Sequence, residues 1–255
     1  MALLKYLIRY CAAVITVSPP IALKIGHHYR VSKVALVRNI PPYRVVPKSN
    51  RLRHHLGLGP ETRIALYQGA LCAARGLDRL IRAARFLEED IVIIIMGQGS
   101  KTTKTELEAL IVSERVTDRV KILPPVPYEE LLDWTASADI GLNILPPDYS
   151  LSIRWCLPNK LFEYLMAGLP VLSSQLDAVS EVIAAHDCGR VVSSLAPADI
   201  AKAITTMLGN GDALAHMHRN ALNAAQEEFQ WEKESRNLVQ LYDDIVADRN
   251  AAGEL

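Results

Sequence analysis

Short apolar runs alternate with helical stripes along this chain, and that alternation limits the folds open to it more than any other feature. The runs cover residues 13–17, 34–37, 64–67, 91–96, 120–123, 140–142, 171–172 and 190–192. Runs this short and this continuously apolar suit strands buried on both faces. Between them, Leu77, Leu80, Ile81, Ala84 and Leu87 form a stripe at helical spacing. Leu131, Leu132 and Trp134 mark a second helix, and Ile200, Ile204, Met207 and Leu208 a third. Strand and helix in strict turn predict an α/β, Rossmann-like parallel sheet with helices on both faces. Such sheets bind ligands beyond the carboxyl ends of their strands. Loops 68–76, 97–100, 124–128 and 143–159 are therefore where function is expected.

Composition excludes several classes. Half of the 255 residues are hydrophobic, enough for a sizeable core. The 28 basic and 28 acidic side chains cancel, so there is no basic surplus of the kind nucleic-acid binding needs. Cysteines 11, 72, 156 and 188 have neither metal nor redox spacing and fit a reducing compartment. His27-His28, His54-His55 and the His216/His218 pair sit one or two apart, where helical side chains do not face each other, so no metal site is expected. Lys5 and Arg9 interrupt the apolar start of the chain, which is too short and too charged to span a membrane. Residues 3–10 read as an amphipathic helix, for core packing against a present or missing neighbour ahead of a membrane-surface role.

One run carries chemistry: Pro158-Asn159-Lys160-Leu161-Phe162-Glu163-Tyr164-Leu165-Met166-Ala167-Gly168-Leu169-Pro170-Val171. Proline suits a first helical position, and Gly168 with Pro170 suits a helix end. Leu161 with Leu165, and Phe162 with Met166, repeat at four residues and predict an inward face. Asn159, Lys160 and Glu163 share a neighbouring face. Phosphates are favoured at a helix N-terminus, and a carboxylate one turn on can accept from two ribose hydroxyls. The plainer alternative is a surface helix with a solvated Lys-Glu pair.

The other loops add parts for the same ligand. Gly69 permits close backbone approach after a strand, and Arg75 can fork onto phosphate oxygens. Gly97 and Gly99 follow the next strand as Met96-Gly97-Gln98-Gly99-Ser100. There is no complete Gly-x-Gly-x-x-Gly fingerprint and no P-loop. Residues 231–246 form a last helix, with Leu238, Leu241, Tyr242 and Ile245 on one side.

In order and spacing these motifs resemble the C-terminal, donor-binding half of retaining glycosyltransferases of the GT-B fold, family 4, also called glycosyltransferase group 1. The pieces are Val17-Ser18-Pro19, Val37-Arg38-Asn39-Ile40-Pro41, Tyr67-Gln68-Gly69 through Arg75-Gly76-Leu77, Met96-Gly97-Gln98-Gly99, Ala138-Asp139-Ile140-Gly141-Leu142, the Asn159 to Tyr164 helix, and Phe229-Gln230-Trp231-Glu232. The resemblance implies transfer of a sugar from a nucleoside diphosphate sugar with retention of configuration, and no cofactor or metal. It implies donor-binding roles for Gly69, Gly97, Gly99, Asn159, Lys160, Leu161 and Glu163, with Arg75 and Lys160 serving catalysis by holding the diphosphate. Ala70 stands where the family usually has arginine, and Trp155 where many members have a second glutamate. Residues 1–45 are then expected to be the remnant of an acceptor domain plus the interdomain link. Residues 46–230 are the nucleotide-sugar domain, and 231–255 the crossover helix and tail. Most of the acceptor domain is expected from elsewhere, including a separate partner chain. A cytoplasmic location, at the inner face of the membrane, is the matching expectation. A binding-only module and a nucleotide-sugar epimerase are the alternatives on the same fold.

Overall fold

The computed structural model describes residues 2–31 and 33–252. Met1 and residues 253–255, at the ends of the first and last expected segments, lie outside these. The chain opens with α1 (Ala2–Leu7), which tightens into a 3-10 turn at Ile8–Tyr10. β1 (Val14–Thr16), α2 (Pro19–Tyr29) and β2 (Val34–Leu36) follow. β1 and β2 pair in parallel as a small sheet of their own, with Val14 beside Val34. After α3 (Arg51–Leu56) come β3 (Arg63–Gln68), α4 (Leu77–Ala83), β4 (Ile91–Met96), α5 (Lys101–Ser113) and β5 (Val120–Leu123). The chain continues through α6 (Tyr128–Thr135), β6 (Ile140–Asn143), α7 (Leu151–Trp155), α8 (Asn159–Met166) and β7 (Val171–Ser174). α9 (Asp177–His186), β8 (Gly189–Val192), α10 (Pro197–Gly209), α11 (Gly211–Glu227) and α12 (Trp231–Ala252) complete it.

The main sheet has the strand order β5-β4-β3-β6-β7-β8, and every pair in it is parallel. The chain therefore builds outward from β3 to one edge, then returns to the other side of β3 and builds to the opposite edge. The loops after β3 and β6 diverge at that reversal, and a crevice opens there. Alternation along β4 divides the core. Ile91, Ile93 and Ile95 pack with α4, α5 and α10, whereas Val92, Ile94 and Met96 pack with α6, α8, α9 and α11. A strand apolar on both faces in this way belongs inside a three-layer sandwich.

α8 is the best-covered helix. From Lys160 to Met166 every residue is buried. Gly168 takes φ +69°, the left-handed conformation that closes the helix. Pro158, expected at the first helical position, is instead the cap before it, with ψ 143°. Its carbonyl accepts from Leu161 N–H at 2.9 Å, which leaves the N–H groups of Asn159 and Lys160 outside that turn's bonding. Tyr164 pins α8 to the sheet at the reversal point. Its hydroxyl accepts from Gln68 N–H (3.0 Å) and lies 3.0 Å from the carbonyl of Leu66, to which it donates. Gly141 in β6 makes room for that ring, because a Cβ there would stand 2.5 Å from it.

The segment after β2 is tied to both α12 and α8. Glu234, 1% exposed, accepts from the backbone N–H (2.6 Å) and Nε (3.0 Å) of Arg38. The Asn39 side-chain amide donates to Asn159 Oδ1 at 3.1 Å. The apolar residues of α1, Leu3, Leu4, Tyr6 and Leu7, are exposed, and Ile8 just after them is buried. On α12, Leu241 is buried and Leu238 and Ile245 half-buried, while Tyr242 on the same side is exposed, as are Val239 and Val246. Among the described residues no helix is long and apolar enough to cross a membrane.

Candidate functional site

A cavity of about 620 Å³ opens at the sheet's reversal point. Its floor is Tyr67, Gln68 and Gly69 at the end of β3, beside Met96, Gly97 and Gln98 at the end of β4. Pro125, Val126 and Leu131 form one wall; Pro158 and, on α8, Asn159, Lys160 and Glu163 form the other. Arg75 reaches in from the 3-10 turn at Ala73–Arg75. A second, smaller recess lies against it, between Asn39, Pro42, Tyr128 and Trp231, and shares Asn159 and Glu163 with the first.

The two glycines at the floor have different reasons to be glycine. Gly69 has φ +134°, a conformation closed to ordinary side chains, and its N–H reaches Met96 O at 3.0 Å. Gly97 has no such angle; a Cβ there would stand 1.8 Å from the carbonyl oxygen of Gly69. The strand ends are in backbone contact, and this holds the cavity floor shut.

The charged groups are arranged unusually. Lys160 is 7% exposed, and its Nζ has no hydrogen-bond partner. The ammonium sits 4.0 Å from the centroid of the Tyr67 ring, close enough for a cation–π contact. Burial, then repulsion from Arg75, pulls Lys160 down to about 7. Glu163 is 9% exposed and is pushed up by burial, against the opposing pull of a hydrogen bond from Gln68 and the charge of Lys160. The Gln68 amide nitrogen donates to Glu163 Oε2 at 2.5 Å, and its amide oxygen accepts from Thr135 Oγ1 at 2.7 Å. Burial likewise raises the thiol of Cys156, which lines the cavity near Arg75 and Lys160. A buried cation without a partner, a second cation beside it and free helix N–H groups together make a receptor for an anion of more than one charge.

A family model for glycosyl transferases group 1 matches residues 62–210. The chain belongs to the group 1 glycosyl transferases. Among curated relatives of this group 1 chain, the D-inositol 3-phosphate glycosyltransferase of Xylanimonas cellulosilytica is 27% identical over 193 residues, 75% of this chain and 44% of that protein. The Corynebacterium glutamicum enzyme of the same name is 25% identical over 244 residues, 89% of this chain and 56% of that protein. The chain thus spans about half the length of the curated relatives it matches. Among solved structures, Anabaena HepE in complex with UDP and glucose superposes with a TM-score of 0.82 at 16% identity, covering 95% of this chain and 66% of that one. Sucrose-phosphate synthase of Thermosynechococcus elongatus gives 0.79 at 18% identity, covering 92% and 59%. These neighbours establish the GT-B fold for this group 1 chain, and its parallel sheet with helices on both sides agrees.

The structure gathers Gly69, Arg75, Gly97, Asn159, Lys160 and Glu163 around one cavity. It does not bring Gly99 or Leu161 to the cavity lining. Gly99 packs under Leu71, where a Cβ would meet Leu71 Cβ at 2.7 Å, and Leu161 is fully buried in the core beneath α8. Trp155 also lies away from the lining; its indole N–H donates to Asp177 at 3.1 Å. The Lys160-Glu163 pair is buried, so the solvated-pair alternative does not apply. Sequence reading passed over Gln68 and Thr135. The signal available for Gln68 was a polar residue ending an otherwise apolar strand, directly before the glycine.

Proposed function

We propose that this group 1 chain is the donor half of a retaining glycosyltransferase and holds a nucleoside diphosphate sugar in the cavity at the start of α8. The observation that carries the reading is Lys160, a residue lining the cavity whose buried Nζ has no hydrogen-bond partner. Burying such a group costs several kcal/mol unless a ligand completes it, and a diphosphate is the ligand whose charge Lys160 and Arg75 can share. Glu163, one turn along, accepts from the ribose hydroxyls. As the bond from sugar to diphosphate breaks, negative charge grows on the departing phosphate. Arg75, Lys160 and the N–H groups of Asn159 and Lys160 at the start of α8 would stabilise that charge. Positive charge grows meanwhile on the sugar ring. Retention of configuration and the sugar-nucleotide class follow from the family resemblance, and the UDP held by HepE supports the latter.

The acceptor is proposed to sit on a second Rossmann-type domain, on the same or a partner chain. Residues 1–45 would be the end of that domain and its link, and the exposed apolar side chains of α1 and β1 would be its contact.

Calorimetric titration of the purified chain with UDP, GDP, UDP-glucose and GDP-mannose tests the reading. Binding of one nucleotide series is expected. Arg75→Ala should weaken it about tenfold, the value of one charged hydrogen bond at a half-buried position. A folded wild-type chain that binds none of the four overturns the proposal.

A further inference from the structure

Gln68 has no place in the phosphate receptor, yet it is 2% exposed and makes three hydrogen bonds at the edge of the cavity. Its backbone N–H goes to Tyr164, so the end of β3 is fixed to α8. Its side chain then bridges two helices, accepting from Thr135 of α6 and donating to Glu163 of α8. The direction of this chain of bonds is set by chemistry. An ionised carboxylate only accepts, so the amide nitrogen must face it, and the amide oxygen must then face a donor. Thr135 supplies that donor. The hydroxyl has a single proton and also lies 2.7 Å from the carbonyl of Leu131, one turn back, so the two oxygens share it and the carboxylate is what sets the direction of the amide.

We propose that Gln68, its amide tethered to Thr135, is a positioning residue that holds Glu163 in one rotamer as an ionised acceptor for ribose. The role rests on the donor-site reading above. Without the amide, burial favours the neutral acid, whose proton would occupy a lone pair that a ribose hydroxyl needs. If the amide turned over, its oxygen would face a carboxylate oxygen at 2.5 Å, which only a protonated Glu163 tolerates. Amide direction and carboxylate charge are therefore linked, and Thr135 tethers the amide beside the carboxylate. The other groups acting on Glu163 are Lys160 on the same helix, with Arg75 beyond it, Tyr128 from α6 and the Tyr164 hydroxyl. None of them donates a hydrogen bond to the carboxylate in the ligand-free protein.

The test compares the wild-type chain with Gln68→Met and Thr135→Val, two substitutions that keep side-chain volume. In 13C-labelled protein without ligand, the Glu163 carboxyl carbon is titrated by NMR. Its midpoint is expected to rise by about one pH unit or more in Gln68→Met and by less in Thr135→Val. Affinity for whichever of UDP-glucose and GDP-mannose the wild type binds should fall about tenfold near neutral pH in Gln68→Met, with the acid limb of the affinity profile moved to higher pH. Inorganic pyrophosphate, which has no ribose, should bind within about twofold of wild type. Circular dichroism confirms folding, and Thr135→Val decides the matter if Gln68→Met does not fold. An unchanged Glu163 midpoint in the folded variants overturns the inference, as does an equal loss of pyrophosphate. If the wild type binds no nucleotide sugar, the donor-site reading falls while the NMR titration still judges Gln68.

Discussion

Lys160→Met is expected to make the ligand-free protein more stable and the proposed ligand-bound protein weaker, two effects of opposite sign from one substitution. Methionine keeps the length of the side chain and its packing against Tyr67 but removes the buried charge. Removing a buried ammonium that has no hydrogen-bond partner lifts its desolvation cost, and urea unfolding of the two proteins reads the gain directly. The gain should depend on pH. Lys160 in the unfolded chain keeps its proton up to about 10.5, whereas in the folded chain it releases it near 7. Between those values the unfolded state binds more protons, so wild-type stability rises with pH across that window. That rise is absent from Lys160→Met, and the advantage of the variant is greatest below pH 7. Binding runs the other way. A diphosphate favours the charged ammonium, so UDP-glucose or GDP-mannose affinity in the wild type should fall as pH rises above about 7. Their bridged phosphates do not titrate there, which isolates the lysine. In Lys160→Met the affinity should be roughly ten- to a hundred-fold lower and flat over the same range. Equal stability in the two proteins would mean that the lysine is not strained in the empty site. Equal affinity would remove it from the ligand.

The helix that bears Lys160 was readable in the sequence because its signals are local. Period-four apolar pairs, a proline before and a glycine after act within a few residues, and burial of Lys160 through Met166 follows from them. The same locality explains the sheet, whose strands are runs apolar on both faces. What local signals do not carry is which loops meet. Gln68, Thr135 and Glu163 are far apart in sequence and touch only because β3, α6 and α8 converge at the reversal of strand order. Leu161 lay in the right motif but faces the core, since one residue along a helix turns the side chain by about 100°. Gly99 was read with Gly97 as one glycine pair, yet only Gly97 reaches the cavity. α1 shows the same limit, because amphipathic spacing says that an apolar face exists, not whether this chain or a neighbour covers it.

Gly97→Ala is expected to have the largest effect of any single methyl group added to the site. The new Cβ would lie 1.8 Å from Gly69 O and 2.8 Å from Gly69 C, both backbone atoms. No rotamer relieves a clash between main chains, so one strand end has to move. The movement breaks the ladder that continues β3 past its last residue, where Gly69 N–H meets Met96 O at 3.0 Å and Leu71 N–H meets Gln98 O at 2.7 Å. Gly69 cannot retreat cheaply, because its φ of +134° already restricts it to one region. The cost is expected at or above the usual overpacking range of about 1–3 kcal/mol, accompanied by loss of nucleotide binding, because the floor of the cavity is built from these residues. Gly209→Ala is the matched control. It adds the same methyl at the end of α10, meets nothing within 4 Å and has no positive φ, so it should stabilise by about 0.4–1 kcal/mol through the unfolded chain. Chemical denaturation of both variants, with nucleotide titration of whichever folds, measures the pair. A Gly97→Ala protein as stable as wild type would show that the two strand ends are not in fixed contact, and the cavity floor would lose its structural basis.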